Sequence, residues 1–191
     1  SAYPVTPQIW CNLLVLIVAD IHSNLSALES VLAHAPKCEE TWFLGDLVGY
    51  GPQPNECIDL LVKQPRLVAV AGNHDWGAIG KIPLANFNSD AKKACSWTAV
   101  QLNSNSRSFL EHLEPSVIVP KALLVHGSPR HPMSEYLNNS SLAQSNFDFF
   151  GPPLCFVGHT HVPAIFHAQD VTQGTKPPMT ALKPDTSYPL P

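Results

Sequence analysis

Leu13-Leu-Val-Leu-Ile-Val-Ala-Asp20-Ile-His22 is the stretch whose reading decides the fold. Its first seven residues are all apolar and rich in β-branched side chains, as expected of a strand covered on both faces, and such strands belong to parallel sheets. The run stops at a carboxylate and an imidazole. Directly afterwards Ser23 and Asn24 offer N-cap oxygens, Leu25, Leu28, Val31 and Leu32 recur at helical spacing, and Pro36 ends the pattern. Strand, short turn and helix open a βαβ unit.

The same order repeats outward from there. Thr41-Trp-Phe-Leu44 reads as a strand ending at Gly45-Asp46, Asn55 to Val62 as a helix entered through Pro52 and Pro54, and Arg66 to Ala71 as a strand ending at Gly72-Asn-His-Asp75. Strands alternating with helices imply a parallel sheet whose functional groups gather at the carboxyl ends of the strands. Residues 89 to 113 read as helical with a break around Asn103 to Ser106. After Pro115 the style changes: Val117-Ile-Val119 and Ala122-Leu-Leu-Val125 flank Pro120-Lys121 and read as two β segments joined by a tight turn, the start of a second sheet. Leu154 to Val157 and Ala164 to His167 are its expected later members, with polar clusters at His126 and at Gly158-His-Thr-His161. The expected organisation is an arm or cloning remnant over 1–12, a domain over 13–167, and a proline-rich irregular tail over 168–191.

Composition sets the outer bounds. The chain has 191 residues, 45% hydrophobic and 14% charged, with a mean hydropathy of +0.01. That fits one globular domain with a core of its own and excludes disorder throughout. A net charge of -4 and no basic run longer than Lys92-Lys93 leave no electrostatic footprint for nucleic acid or anionic lipid. Five cysteines without C-x-x-C spacing argue against a disulfide framework and a thiolate zinc site. Leu13 to Ala19, the longest apolar run, is far short of the roughly 20 residues that span a bilayer, and no Lys or Arg precedes it as in a signal peptide. The expectation is a cytoplasmic protein.

The chemistry lies at the strand ends. Asp20-x-His22 places a carboxylate and an imidazole on one side of extended backbone, where they can share an ion. Eight Asp and nine His produce roughly 0.4 such pairs by chance, so the pair alone means little. Gly45-Asp46 alone is weaker still, since an Asp after a strand usually caps or turns the chain. Gly72-Asn-His-Asp75 and Gly158-His-Thr-His161 add weight, because each sets donors directly after a glycine at the end of an apolar strand. Together Asp20, His22, Asp46, Asn73, His126, His159 and His161 are oxygen and imidazole donors, too many for one ion. With one bridging carboxylate they supply four ligands to each of two ions.

This order (D-x-H, G-D, G-N-H-D, His-Gly, G-H-T-H) resembles the calcineurin-like metallophosphoesterases. It looks most like their small prokaryotic phosphodiesterase branch, through Asp20-Ile-His-Ser-Asn-Leu25, Gly45-Asp-Leu-Val-Gly-Tyr-Gly-Pro52 and Val125-His-Gly-Ser-Pro-Arg130. The resemblance covers roughly residues 13 to 167 and implies an α/β fold, a four-layer αββα sandwich with two mixed β-sheets. It implies that Asp20, His22 and His161 hold a first metal, Asn73, His126 and His159 a second, and that Asp46 bridges them around a nucleophilic hydroxide. His74 is implied as general acid, with Asp75 beside it to orient or charge its imidazole. The cofactors are two divalent transition-metal ions, manganese first, with iron, nickel, cobalt and zinc equally suited to these donors. The implied activity is hydrolysis of a small-molecule phosphate ester, a diester in the favoured reading and a monoester in the alternative.

Two departures from the family pattern matter. The protein phosphatases carry an Asp and an Arg where this sequence has Gly49 and Tyr50, which weakens that identity. Arg130, four residues past His126, either supplies a substitute guanidinium for substrate phosphate or is a surface arginine in a Ser-Pro turn. The family also continues after G-H-T-H with a β hairpin and a Pro-Gly-Ser turn that residues 169–191 do not signal, so an incomplete outer sheet is expected. Trp42, Phe43, Phe156 and Phe166 read as core, whereas Tyr50, Trp76 and Tyr136 are equally readable as lining a cleft. His34 and His112 read as surface groups, His131 and His167 as loop or strand residues. Since the same fold serves as an interaction scaffold in a retromer subunit, a non-catalytic role stands as the rival, and hydrolysis of other esters as a third option.

Overall fold

A computed structural model describes residues 13–168 and 176–189. Three βαβ strands come first. Strand β1 (Val15–Val18) pairs in parallel with β2 (Glu40–Phe43), which pairs in parallel with β3 (Val68–Ala69). The connections are α1 (Leu25–His34), capped by the Asn24 side chain on the Ala27 N–H, and α2 (Pro54–Leu61), with Pro54 in the first turn, where its missing N–H costs nothing.

Alternation along these strands sorts the side chains into two layers. Val18, Phe43, Ala69 and Ala71 face a helix-side core containing Leu28 of α1 and Cys57, Ile58 and Leu61 of α2. Helices α3 (Asn73–Ala78), α4 (Ser89–Gln101) and α5 (Ser104–Glu111) follow, and Ala78 and Leu110 join that core. The expected break falls at Leu102-Asn103, where Asn103 caps α5 through the Ser106 N–H. On the opposite face Val15, Ile17, Trp42, Leu44, Val68 and Val70 meet Val117, Val119, Ala122, Leu124, Leu154 and Phe156. This is the seam between the sheets.

The second sheet is mixed. Strand β4 (Ser116–Val119) runs antiparallel to β5 (Ala122–Val125) through Pro120 and Lys121, the latter at φ 69, and β6 (Leu154–Phe156) lies parallel to β5. Helix α6 (Ser140–Asn146) lies in the β5–β6 connection, capped by Asn139.

The fold is α/β, as expected, with three differences in detail. The first sheet is wholly parallel among the described residues, whereas two mixed sheets were implied. Strand β7 (Ala164–Phe166) does not join the second sheet. It pairs instead with β8 (Met179–Ala181), an antiparallel strand inside the segment expected to be irregular. Pro177 and Pro178 just before Met179 hide that strand, yet Met-Thr-Ala itself contains no proline, so all three residues are free to pair. Residues 1–12, expected as an arm or cloning remnant, and residues 169–175 and 190–191 lie outside the described residues. Among those described, no helix is long and apolar enough to cross a membrane.

Candidate metal centre

The donors stand on four loops that leave the carboxyl ends of β1, β2, β5 and β6, and on the start of α3. Past the strands, the ladder continues: Asp20 N–H donates to Gly45 O at 3.0 Å, His22 N–H to Asp46 O at 3.0 Å, and Ser23 N–H to Leu47 O at 2.9 Å. Gly158 N–H donates to His126 O at 2.9 Å, tying the second pair of loops together. Five donor residues adopt the left-handed region: Asp20 (φ 54), His22 (φ 49), Asp46 (φ 59), His159 (φ 65) and His161 (φ 55). Each costs about 1–2 kcal/mol and persists only where the surroundings over-determine it. A row of such residues at one sheet edge marks a site shaped for chemistry. Gly72 has no freedom to gain a side chain, since a Cβ there would lie 2.1 Å from Asp46 Oδ1.

The structure brings the seven candidates together in two groups joined by Asp46. In the first, His161 Nε2 lies 3.4 Å from Asp20 Oδ1 and 3.3 Å from His22 Nε2. In the second, His126 Nε2 lies 3.1 Å from Asn73 Oδ1, 3.1 Å from His159 Nδ1 and 3.3 Å from Asp46 Oδ2. Asp46 Oδ2 is also 3.7 Å from His22 Nε2. Backbone carbonyls aim two of the rings: the Nδ1 atoms of His126 and His22 face Leu44 O at 2.8 Å and Val48 O at 3.2 Å, which turns their Nε2 atoms inward. That is how metal-ligating histidines are usually oriented.

The electrostatics suit a cation. Burial opposes ionisation of Asp46, but the imidazoles of His126, His74 and His22 outweigh it and hold its carboxyl below the usual range. Burial opposes charge on His126, yet Asp46 lifts it to about 9. Burial pushes His159 and His74 down to about 4, lowers His22 and raises Asp20. Neutral imidazole is the form that binds metals, so the lowered histidines stand ready, while His126 would give up its proton to a bound cation. His126 Nε2 carries at most one proton, which leaves most of the lone pairs around it facing one another. His159 Nε2 is buried without a hydrogen-bond partner. Two cations, one per group, satisfy this convergence, so the residues present fit a dinuclear centre.

Of the remaining candidates, His74 stays with the site, within ligand reach of His22 and Asp46, whereas Asp75 and Arg130 fall elsewhere. His74 lines the same cleft, its backbone N–H donating to Asp46 Oδ1 at 2.8 Å. Asp75, expected to orient His74, instead accepts four backbone N–H groups, from Asp46, Leu47, Val48 and Gly72, at 2.9 to 3.1 Å. It supports the metal loops and has no hydrogen bond to the imidazole. Arg130, considered for substrate phosphate, is paired with Glu135 through Nε at 3.0 Å and through Nη2. Glu135 also accepts from Ser128 Oγ at 2.8 Å and Asn146 Nδ2 at 2.7 Å, and this network pins the loop after β5. Nothing in the spacing of these four residues signalled it.

The cleft, about 280 Å³, is lined by His22, Asp46, Tyr50, His74, Tyr136, His159, Thr160 and His161. Tyr136 stacks on His159 with ring centroids 3.8 Å apart, and Tyr50 lies 4.6 Å from His74. Of the three aromatics readable either way, Trp76 packs against the helix-side core, with Lys81 Nζ 4.1 Å over its ring. His34 and His112 turn back onto their own helices at Ser30 O and Ser108 O.

Comparison with known proteins agrees with this geometry. The family model described as calcineurin-like phosphoesterase matches residues 13–163. An uncharacterized protein of Methanocaldococcus jannaschii is 35% identical over 159 residues, covering 80% of this chain and 64% of that protein. The crystal structure of a metallophosphoesterase from Sphaerobacter thermophilus superposes with a TM-score of 0.72 at 47% identity, covering 81% of this chain and 64% of that one. A hypothetical protein from Pyrococcus horikoshii OT3 shares the fold at a TM-score of 0.67 and 18% identity, covering 81% and 73%. The chain therefore spans somewhat less than two thirds of the length of the first two. With the family model spanning every strand-end donor, this chain belongs to the calcineurin-like phosphoesterase family.

Proposed function

We propose that the protein hydrolyses phosphate esters, diesters in preference to monoesters, with two divalent transition-metal ions as cofactors. One observation carries this reading: the Asp46 carboxylate stands within ligand reach of His22 and His74 on one side and of His126 and His159 on the other, while Asp20 and His161 close around His22. Asp20, His22 and His161 would hold one ion, Asn73, His126 and His159 the other, and Asp46 both. When bound, such a pair lowers the pKa of water, holds the phosphate oxygens and neutralises charge during in-line displacement.

The chain's own residues do the rest. The carbonyls of Leu44 and Val48 hold two imidazoles in ligating orientation, and Asp75 fixes the loop that presents Asp46. His74, within reach of His22 and Asp46, would protonate the departing ester oxygen rather than serve as a ligand. Tyr50 and Tyr136 flank the substituent of the phosphate and exclude water from one side. Manganese is the first metal to test, and the free thiols of Cys38, Cys57, Cys95 and Cys155 suit a reducing cytoplasm.

The test is hydrolysis of bis-p-nitrophenyl phosphate and p-nitrophenyl phosphate by metal-stripped protein titrated with manganese. Faster diester turnover that saturates at about two metals per chain supports the reading. Faster monoester turnover replaces it with a phosphatase, and two bound metals without turnover of either ester favours the scaffold.

A further inference from the structure

The imidazole of His74 is held on several sides. Tyr50 lies 4.6 Å away, His22 4.9 Å and Phe87 5.4 Å, centroid to centroid. What its Nδ1 meets is unexpected for a proton donor: the nearest polar side chain is a thiol, Cys95 Sγ, at 3.5 Å. Cys95 projects from the middle of α4 and is fully buried, with the His74 carbonyl oxygen 3.9 Å from the same sulfur. Gly49 accounts for the room on the other side. A Cβ at Gly49 would stand 2.5 Å from His74 Nδ1, so any larger residue there would push the ring off its seat.

We propose that Cys95 is a positioning residue for His74, holding Nδ1 so that Nε2 faces the cleft. In the neutral ring the thiol S–H donates to Nδ1, which leaves the ring proton on Nε2. A thiol can donate to Nδ1 in this way, whereas an ionised carboxylate in its place only accepts. Buried by α4, the sulfur has the His74 carbonyl oxygen as a second acceptor, at the longer distance of 3.9 Å against 3.5 Å to Nδ1. Cys95 touches neither substrate nor metal and acts only through His74.

This inference rests on the phosphoesterase reading for its functional consequence, but not for its first test. Nitrogen NMR of the His74 ring in metal-free protein at mildly alkaline pH reports which nitrogen carries the proton. The expected result is the Nε2–H tautomer in the parent and in Cys95→Ser, and a mixture in Cys95→Ala. A parent with the proton on Nδ1, or a tautomer unchanged in Cys95→Ala, overturns the proposal whether or not the protein turns over any ester. If Cys95→Ala does not fold, the parent and Cys95→Ser spectra decide it alone.

The second test is kinetic, on the manganese-loaded enzyme with a diester of a poor leaving group. Cys95→Ala should lower kcat roughly tenfold with KM nearly unchanged, a part of the hundredfold or more that general acids supply, and Cys95→Ser should recover most of it. In a His74→Ala background, Cys95→Ala should cost nothing further. An equal loss in both backgrounds would show that Cys95 acts through packing, and would sink the positioning role.

Discussion

The carboxylate of Asp75 lies beneath Asp46 and holds it by the backbone: the Asp46 N–H donates to Asp75 Oδ2 at 2.9 Å, while Leu47 and Val48 donate to Oδ1. Asp46 sits at φ 59, so its loop needs support that its own conformation does not supply. Burial and the nearby Asp46 carboxylate push the Asp75 acid up to about 7, against which its amide donors favour the ionised form. Asp75→Ala strands four buried N–H groups at about 1–3 kcal/mol each before relaxation. The expected outcome is a loss of about 3–5 kcal/mol in urea unfolding, together with weaker metal binding. Unchanged stability with lower activity would return Asp75 to the role of an aid to His74.

Asp46 and His74 should separate by their effect on metal content. Asp46→Ala removes the one oxygen that both groups share, so metal analysis after dialysis should fall from about two ions per chain to one or none. His74→Ala leaves the donor set whole and should keep both ions. Its turnover should fall most for esters with basic leaving oxygens, by about 10²-fold or more, and least for p-nitrophenyl esters. Equal losses on both substrate types would remove His74 as the acid.

How much of this was legible beforehand depends on the range of the interaction. Strand β1 announces itself because seven apolar residues in a row have few other uses, and the donors Asp20, Asp46, Asn73 and His159 follow strands directly. The helix beginning at Asn73 does not announce itself. Its six residues include Gly77 and three polar groups, so it has no apolar period, and it exists because Asp75 takes the Gly72 N–H and tertiary contacts hold the rest. The partners of Arg130 and Asp75 are hidden in the sequence for a shared reason. A charged residue beside a motif looks like part of its chemistry, whereas the partners that neutralise it, Glu135 for one and distant backbone amides for the other, are set by the fold. Strand β8 is hidden because its three residues are too few to show an alternation.

Glu135 sets an acid limit on stability. Hydrogen bonds from Arg130 hold its carboxyl down at about 2 despite burial, with Asn146 and Ser128 adding to the effect. Its folded pKa lies below the unfolded value near 4.3. The stabilisation is therefore complete above that value and is lost as pH falls from about 4.3 toward 2. Glu135→Gln should flatten the fall of the urea midpoint across that window while lowering the midpoint at neutral pH. A parent and variant with parallel pH profiles below 5 would show that the network contributes nothing through charge.

Tyr50 offers a test of whether strain here serves substrate. It holds φ 61 between Gly49 and Gly51, a conformation that bulky residues avoid, yet its side chain is 50% exposed and gains little from burial. Its ring stands 4.6 Å from His74 and 4.9 Å from His22, at the wall of the cleft. Relief of left-handed strain, about 1–2 kcal/mol, favours Tyr50→Gly, while the freer unfolded chain takes back about 0.4–1 kcal/mol. The variant should therefore match or slightly exceed the parent in urea midpoint, and its KM for an aryl diester should rise several-fold while that for a dimethyl diester stays near the parent's. A clear loss of stability would mean that the ring is structural, and equal changes in KM for both diesters would mean that it does not read the substituent on the phosphate.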